Sequence, residues 1–126
     1  MQRWQTALAV LGVLLALTAC GGTGAAEGNV ARGQELYTTG GATGLPCASC
    51  HTLDGSNLVG PSFQGIATRA AGRIADMPAE DYLRASIVSP STYITPGYTN
   101  VMPAVYGETL SEEDIDALVA FLMTLN

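Results

Sequence analysis

Two thiols and an imidazole stand close together near the middle of the chain. They belong to Cys47, Cys50 and His51, in the segment CASCH. Two cysteines at this spacing match the two vinyl groups along one edge of a haem. A histidine directly after the second cysteine is carried beneath the porphyrin with its imidazole aimed at the iron. This spacing is the attachment signal for c-type haem, and it predicts one covalently bound haem c.

Two other chemistries use paired cysteines, and both fit this chain less well. A thioredoxin-like redox pair belongs in a βαβ context at the start of a long helix, and nothing strand-like precedes Cys47. A zinc site would need a fourth ligand beside the two thiolates and His51, but the folded region contains no further cysteine or histidine. Structural zinc sites are nearly always closed by those two residue types.

A haem iron held by His51 has a second axial face, and the methionines of the folded region are the candidates for it. Met123 falls in the apolar period of the last helix, which predicts a core position. Met77 precedes a proline at an expected helix start. Met102 lies in the segment NVMP, inside a long loop without regular periodicity over residues 89–109. We therefore expect Met102 as the second ligand, whose neutral thioether raises the potential.

The elements that must position these ligands are predicted to be helices. Ser111 is a good N-cap, acidic residues fill the turn after it, and apolar residues recur at three- and four-residue steps over residues 115–125. That apolar face needs a partner, and residues 30–38 form a segment too short to be stable alone. A third helix is expected over residues 78–88 and a short one over 66–73. No run alternates for long enough to be a strand.

The region from residue 30 to residue 125 resembles a class I cytochrome c. The matching features, in chain order, are Gly33 with Leu36-Tyr37, the Cys47 to His51 motif, Gly60-Pro61, Met102-Pro103 and Ala120-Phe121-Leu122. The resemblance implies an all-α fold of about three to five short helices around one haem, in which Gly33 lets the last helix cross closely at Phe121. It also implies that the Pro61 carbonyl accepts a hydrogen bond from the His51 imidazole. Phe63 stands where the family often has leucine, so the haem packing is expected to differ there.

Four further residues are candidates for the haem pocket. Arg69 and Arg73 would each suit a haem propionate, because a guanidinium offsets the cost of holding a carboxylate partly out of water. Tyr93 and Tyr98 precede Met102 in the same loop, where they would line the haem or donate to a propionate. A solvated helix face for the arginines, and ordinary packing for the tyrosines, are the alternatives.

The N-terminus is typical of an export signal. One arginine precedes an apolar run that is shorter than the roughly 20 residues of a transmembrane helix. The segment LTAC, which ends at Cys20, resembles the lipobox of bacterial lipoproteins and implies removal of residues 1–19 and lipidation of Cys20. The glycine-rich residues 20–28 are predicted to be a flexible tether and residues 29–126 the folded domain. An ordinary cleaved signal and an uncleaved anchor helix are the alternatives.

The charge balance excludes some partners. The chain has 5 basic and 11 acidic residues, a net charge of −6, and no lysine. Nucleic-acid affinity comes from lysine and arginine neutralising phosphates, so we expect no nucleic-acid partner. His51 is the only histidine and is committed to iron, which leaves no histidine as an acid or base catalyst. The chain is therefore expected to be an electron carrier and not an enzyme.

The expected function is to carry electrons between membrane redox complexes of a respiratory chain. The anchor would hold the protein on the periplasmic face of the cytoplasmic membrane. Gly21 follows Cys20, so the aspartate-based signal for retention in the inner membrane is absent. Anchoring in the outer membrane is therefore an alternative location. A fixed electron-transfer subunit of a larger respiratory complex is one alternative, and a haem enzyme or sensor with an open distal site is another. Docking is expected to be mainly apolar, through Ala104, Val105 and Tyr106.

Overall fold

The computed structural model describes residues 22–126, and over that range the chain is helical with no strand. The α-helices are α1 (Gly22–Thr39), α2 (Ile66–Ala70), α3 (Ala79–Val88), α4 (Val105–Thr109) and α5 (Glu112–Leu122), with short 3-10 helices at Gly41–Thr43 and Cys47–Ser49. The predicted all-α fold is confirmed. No helix within the described residues is both long and apolar enough to cross a membrane. The predicted signal peptide and Cys20 lie outside those residues.

The last helix, α5, starts where its capping residues predict. The Ser111 hydroxyl accepts a hydrogen bond from the Asp114 backbone N–H at 3.2 Å, which satisfies one of the free donors of the first turn. The helix then buries one apolar face, made by Ile115, Ala117, Leu118, Val119, Phe121 and Leu122. Burying apolar side chains at helical spacing is the main source of stability for such an element.

The partner of this face is α1, and a glycine allows the two helices to touch. A Cβ placed on Gly33 would overlap the Ala117 carbonyl oxygen and stand 2.6 Å from the Phe121 Cβ. Any larger residue at this position would therefore push the helices apart. Beside the crossing, the Leu36 side chain of α1 is among the most deeply buried in the molecule.

The first helix extends further towards the N-terminus than the sequence predicts. It begins at Gly22, so residues 22–28 are helical where a flexible tether was expected. Ala26 and Glu27 in this segment are exposed. A helix that packing against α5 has already nucleated can propagate outwards, and the alanines and the glutamate of this segment favour that extension, although its glycines oppose it. The start of the folded domain near residue 29 stays a prediction.

The segment after α3 also differs from its prediction. The long loop expected over residues 89–109 ends in a short helix, α4. Tyr106 of this helix is buried, and its hydroxyl donates to the Leu45 carbonyl at 3.1 Å. A Cβ on Gly107 would stand 2.6 Å from the Val88 carbonyl oxygen, so α4 packs closely on the end of α3. One turn of helix is too short to show a period in sequence, and tertiary contacts specify it.

The two middle helices lie close to their predicted positions. The helix α3 spans Ala79–Val88, with Pro78 as its N-cap residue. The helix α2 ends at Ala70, three residues before the predicted end, and residues 71–76 continue as turns and bends. Together they contribute the buried side chains of Ile66, Ala67, Ala70, Tyr82, Leu83 and Ile87. These two helices and α5 form the apolar surroundings of the site described next.

Candidate haem site

One cleft gathers the residues that the sequence singles out. Cys47, Cys50 and His51 line it together with Met102, which is far along the chain. Apolar side chains of α3 and α5 form part of its lining, namely Leu83, Ile87, Leu118 and Leu122. The fold therefore brings both cysteines, the histidine and one methionine to a single apolar cavity.

A tight backbone turn presents the two thiols and the imidazole. Pro46 enters it in an extended conformation, and the 3-10 helix Cys47–Ser49 follows. The backbone N–H groups of Cys50 and His51 both donate to the Cys47 carbonyl, at 3.1 and 2.9 Å. Both thiols and the imidazole therefore arise from one compact turn. Burial raises the pKa of the Cys47 thiol, which favours its protonated form.

The His51 ring is held in one tautomer. Its Nδ1 lies 2.8 Å from the Pro61 carbonyl oxygen. A carbonyl can only accept, so Nδ1 carries the proton and Nε2 keeps its lone pair. Burial lowers the pKa of His51, although the Pro61 hydrogen bond opposes that shift, and the ring is held neutral. A neutral imidazole with a free Nε2 is the form that binds a metal ion.

A second hydrogen bond holds the backbone of the same residue. The Tyr37 hydroxyl donates to the His51 carbonyl at 2.8 Å, and the bond is buried. Burial raises the pKa of the Tyr37 phenol, which keeps this donor protonated. Sequence reasoning treated Tyr37 only as part of an apolar pair and missed this role. The presence of a hydroxyl on an otherwise apolar helix face was the signal that could have revealed it.

Two further groups pack against the imidazole itself. The Phe63 ring lies nearly parallel to the His51 ring, with centroids 4.3 Å apart and an interplanar angle of 12°. The backbone of Gly60 is also close, because a Cβ there would stand 2.7 Å from Nδ1 and 2.9 Å from Nε2 of that ring. Sequence reasoning placed Phe63 in the haem pocket but did not predict this stacking.

Among the methionines of the described residues, Met102 alone lines the cleft. Met77 and Met123 are also half-buried, but they pack against the hydrophobic core elsewhere. Met102 therefore shares the cleft with His51, and its assignment as the axial ligand remains a prediction.

The two candidate arginines occupy different environments. The Arg69 guanidinium donates to the Ser62 carbonyl at 2.7 Å and to the Gln64 carbonyl, and it does not line the cleft. Arg73 lines the cleft, and its Nε is buried without a hydrogen-bond partner. A buried N–H of a charged group without a partner is costly. An acidic group bound in the cleft would supply that partner, so Arg73 fits a cofactor that carries carboxylates.

Both candidate tyrosines line the cleft. Tyr93 packs edge-on against Tyr82 of α3, with ring centroids 5.7 Å apart. The Tyr98 hydroxyl donates to the Asn57 side-chain oxygen at 3.0 Å, which joins the loop before Met102 to the loop after His51. The sequence did not predict the second contact, because the two residues are 41 positions apart.

Helices that cross at a glycine, and a cleft lined by paired thiols and a neutral imidazole, define a c-type haem protein. Residues 30–126 match the family model for cytochrome c, and the chain therefore belongs to the cytochrome c family, as a class I member. Its cofactor is haem c and its general role is haem-based electron transfer. The comparison with curated proteins gives no match.

The residues of the cleft fit this cofactor. Cys47 and Cys50 would hold it covalently, and Nε2 of His51 is the free donor for its iron. When bound, haem supplies a one-electron couple between ferric and ferrous iron. The apolar side chains of α3 and α5 exclude water from the cleft, and Pro61 and Tyr37 orient His51. No step requires an acid or base.

Proposed function

We propose that this cytochrome c is a membrane-anchored shuttle that passes single electrons between membrane redox complexes on the outer face of the cytoplasmic membrane. The observation that carries the proposal is that His51 and Met102 line the same cleft. Two protein ligands leave no open position for a substrate, and they keep the coordination the same in both oxidation states. A site of this kind suits electron transfer better than chemistry on a bound molecule.

Carbon monoxide tests this proposal. Adding it to the reduced holoprotein at neutral pH should leave the visible spectrum unchanged, because Met102 occupies the position that carbon monoxide needs. The Met102→Ala variant serves as the positive control and should bind it. Binding to the native protein would instead favour a haem enzyme or sensor with an open distal site.

The membrane anchor is proposed from the sequence around Cys20, where small residues end the only long apolar run. Several acyl chains on one cysteine, at roughly 0.8 kcal/mol per buried methylene, would hold the protein durably. Cys20→Ser should release a soluble haem protein with an unchanged potential, whereas the control Thr18→Ser should stay in the membrane. A Cys20→Ser protein that resists a high-salt wash would place the anchor elsewhere.

The docking surface is proposed to be the uncharged rim of the cleft. Residues 36–53, 55–68 and 85–107 contain no Asp, Glu, Lys or Arg. Large exposed apolar side chains lie in these segments. Val59 and Val101 line the cleft, and Leu45 and Leu58 are each next in sequence to a residue that lines it. The expectation that Tyr106 contributes to docking is wrong, because this side chain is buried in α4, although Ala104 is exposed and Val105 half-buried. The occupant we propose is an apolar, uncharged face of a membrane redox partner.

Most charged residues in the described part of the chain lie on α1, α3 and α5. Arg84 of α3 pairs with Glu112 at 3.2 Å and with Asp116, while Arg32 of α1 pairs with Asp114 at 2.9 Å. Exposed pairs of this kind add little stability. The rim segments themselves carry no charge, although Asp54 lies between two of the segments and Arg73 lies in the cleft wall. We therefore propose that confinement to the membrane, rather than strong long-range steering, supplies the encounter rate.

Small redox probes test the rim. Electron-transfer rates with anionic ferricyanide and with a cationic cobalt complex should both depend weakly on salt, because charges more than about 10 Å away are screened at 0.1 M. Leu58→Lys should accelerate the ferricyanide reaction at low salt only, and Leu58→Ser should not. Steep and opposite salt dependence for the native protein would contradict an uncharged rim. Co-purification with other subunits after mild detergent extraction would favour a fixed subunit over a shuttle.

A further inference from the structure

A contact between two rings in the cleft wall has a consequence for the redox chemistry. The Phe63 and His51 rings are stacked at a centroid distance of 4.3 Å and are 12° from parallel. Aromatic pairs in proteins generally have centroid distances from about 4.5 Å upwards, so this pair is in close contact. The Pro61 carbonyl restrains the same imidazole at Nδ1. Its plane is therefore set by a hydrogen bond and by a stacked face.

The Phe63 ring is itself firmly supported. Its backbone N–H donates to the Thr52 carbonyl at 2.7 Å, and its carbonyl accepts from the Ile66 N–H at 3.0 Å. Its ring packs at 6.1 Å against Tyr37, which packs at 5.8 Å against Phe121. A row of aromatic rings therefore links the imidazole to the crossing of α1 and α5, and Phe63 is not free to follow a rotation of His51.

We infer that Phe63 is a positioning residue that fixes the plane of the His51 imidazole and stabilises the oxidised site. The inference rests on the proposed ligation of haem iron by His51. The face of an aromatic ring is electronegative and attracts positive charge. An imidazole bound to ferric iron carries more positive charge than one bound to ferrous iron. Stacking therefore favours the ferric form, and Phe63 lowers the potential relative to leucine at the same place.

Two substitutions separate this effect from simple packing. Phe63→Leu keeps an apolar side chain but removes the ring face, and Phe63→Tyr keeps the ring. In the holoprotein, Phe63→Leu should raise the midpoint potential by an amount equivalent to at most a tenfold change in the redox equilibrium, or about 59 mV for one electron. It should also change the anisotropy of the ferric electron paramagnetic resonance spectrum, which reports the orientation of the axial imidazole. Phe63→Tyr should leave both close to native.

These measurements distinguish a failure of this inference from a failure of the proposed function. A low-spin visible spectrum that is insensitive to carbon monoxide, in the native protein and in both variants, shows that the axial ligands are retained. If that holds and Phe63→Leu changes neither the potential nor the resonance spectrum, the inference is wrong while the carrier function stands. A Phe63→Tyr variant that shifts as much as Phe63→Leu would also overturn it. A native spectrum that responds to carbon monoxide would instead contradict the carrier function.

Discussion

The two sides of the cleft are built differently. On the His51 side, the loop that follows the motif is joined to it by hydrogen bonds from Gly60 N–H to the Cys50 carbonyl at 2.9 Å and from Phe63 N–H to the Thr52 carbonyl at 2.7 Å. The buried Tyr37 hydroxyl adds a link to α1. This side therefore has backbone, side-chain and ring contacts that reach the core.

On the Met102 side, the chain makes short local turns. Its backbone hydrogen bonds join Thr92 to Ser89, Tyr98 to Thr95 and Val101 to Thr99. The link from Tyr98 to Asn57 is exposed. Regions with few buried contacts and exposed hydrogen bonds open at lower free energy than the core. We therefore expect the methionine side to open first, while His51 stays in place.

The largest expected effect on stability comes from overpacking the histidine side of the cleft. In Gly60→Ala the new Cβ would stand 2.7 Å from Nδ1 of a ring that hydrogen bonds and stacking hold in place. We expect a loss of about 3 kcal/mol in the free energy of unfolding, at the upper end for overpacking. Denaturant unfolding of the holoprotein measures it.

Gly72→Ala is the matched control, since a Cβ there meets nothing within 4 Å. We expect it to be neutral or to stabilise the protein by up to about 1 kcal/mol. Equal effects of the two changes would show that the histidine side is not tightly packed.

The next effect comes from removing the ligand proposed for the other side. Met102→Ala should leave haem covalently attached but abolish the weak long-wavelength band from sulfur to iron and lower the midpoint potential. It should also reduce the free energy of unfolding by about 2 kcal/mol, the lower end for methionine, because the side chain is only half-buried. Met77→Ala should keep the band. Loss of the band in Met77→Ala and its retention in Met102→Ala would reverse the ligand assignment.

The sequence predicts the histidine side better than the methionine side, for a physical reason. The motif from Cys47 to His51 lies within five consecutive residues, so local sequence is enough to recognise it. The start of α5 is likewise recognised locally, from Ser111 and the acidic first turn after it. The contacts from Tyr37 to His51 and from Tyr98 to Asn57 join residues far apart in sequence. No local pattern encodes such pairs.

The roles of the two candidate arginines also depend on contacts that local sequence does not encode. Both Arg69 and Arg73 carry the charge that suits a propionate, and sequence spacing does not separate them. Only the folded backbone shows that the Ser62 and Gln64 carbonyls already engage Arg69, whereas the Nε of Arg73 has no partner. Similarly, α4 is too short to produce a helical period, and its existence depends on packing of Gly107 against Val88.

A smaller effect is expected from Tyr37→Phe, which removes one hydroxyl and keeps the ring. It leaves the buried His51 carbonyl without this donor, and we expect a loss of about 1.5 kcal/mol in the free energy of unfolding. Tyr82→Phe, in an equally buried ring of α3, is the matched control and should lose less. If both changes have the same effect, the Tyr37 hydroxyl does not stabilise the histidine side. Thermal unfolding of the two holoproteins gives the comparison directly.

The smallest effect is expected from the exposed link between the two sides. Tyr98→Phe removes the hydrogen bond to Asn57, and because the pair is exposed we expect a loss of about 0.5 kcal/mol in global stability. The loop that carries Met102 should nevertheless open more readily, because within the described residues this bond is its side-chain hydrogen bond to another segment. Cyanide competes for the sixth position of ferric haem, so its binding rate reports that opening and should increase about twofold, the factor that 0.5 kcal/mol represents. Asn57→Ala combined with Tyr98→Phe should add nothing further, since both changes remove the same bond. Additive effects of the two changes on the cyanide rate would mean that the side chains stabilise the methionine side independently, and the bond between them would then not be what restrains the loop.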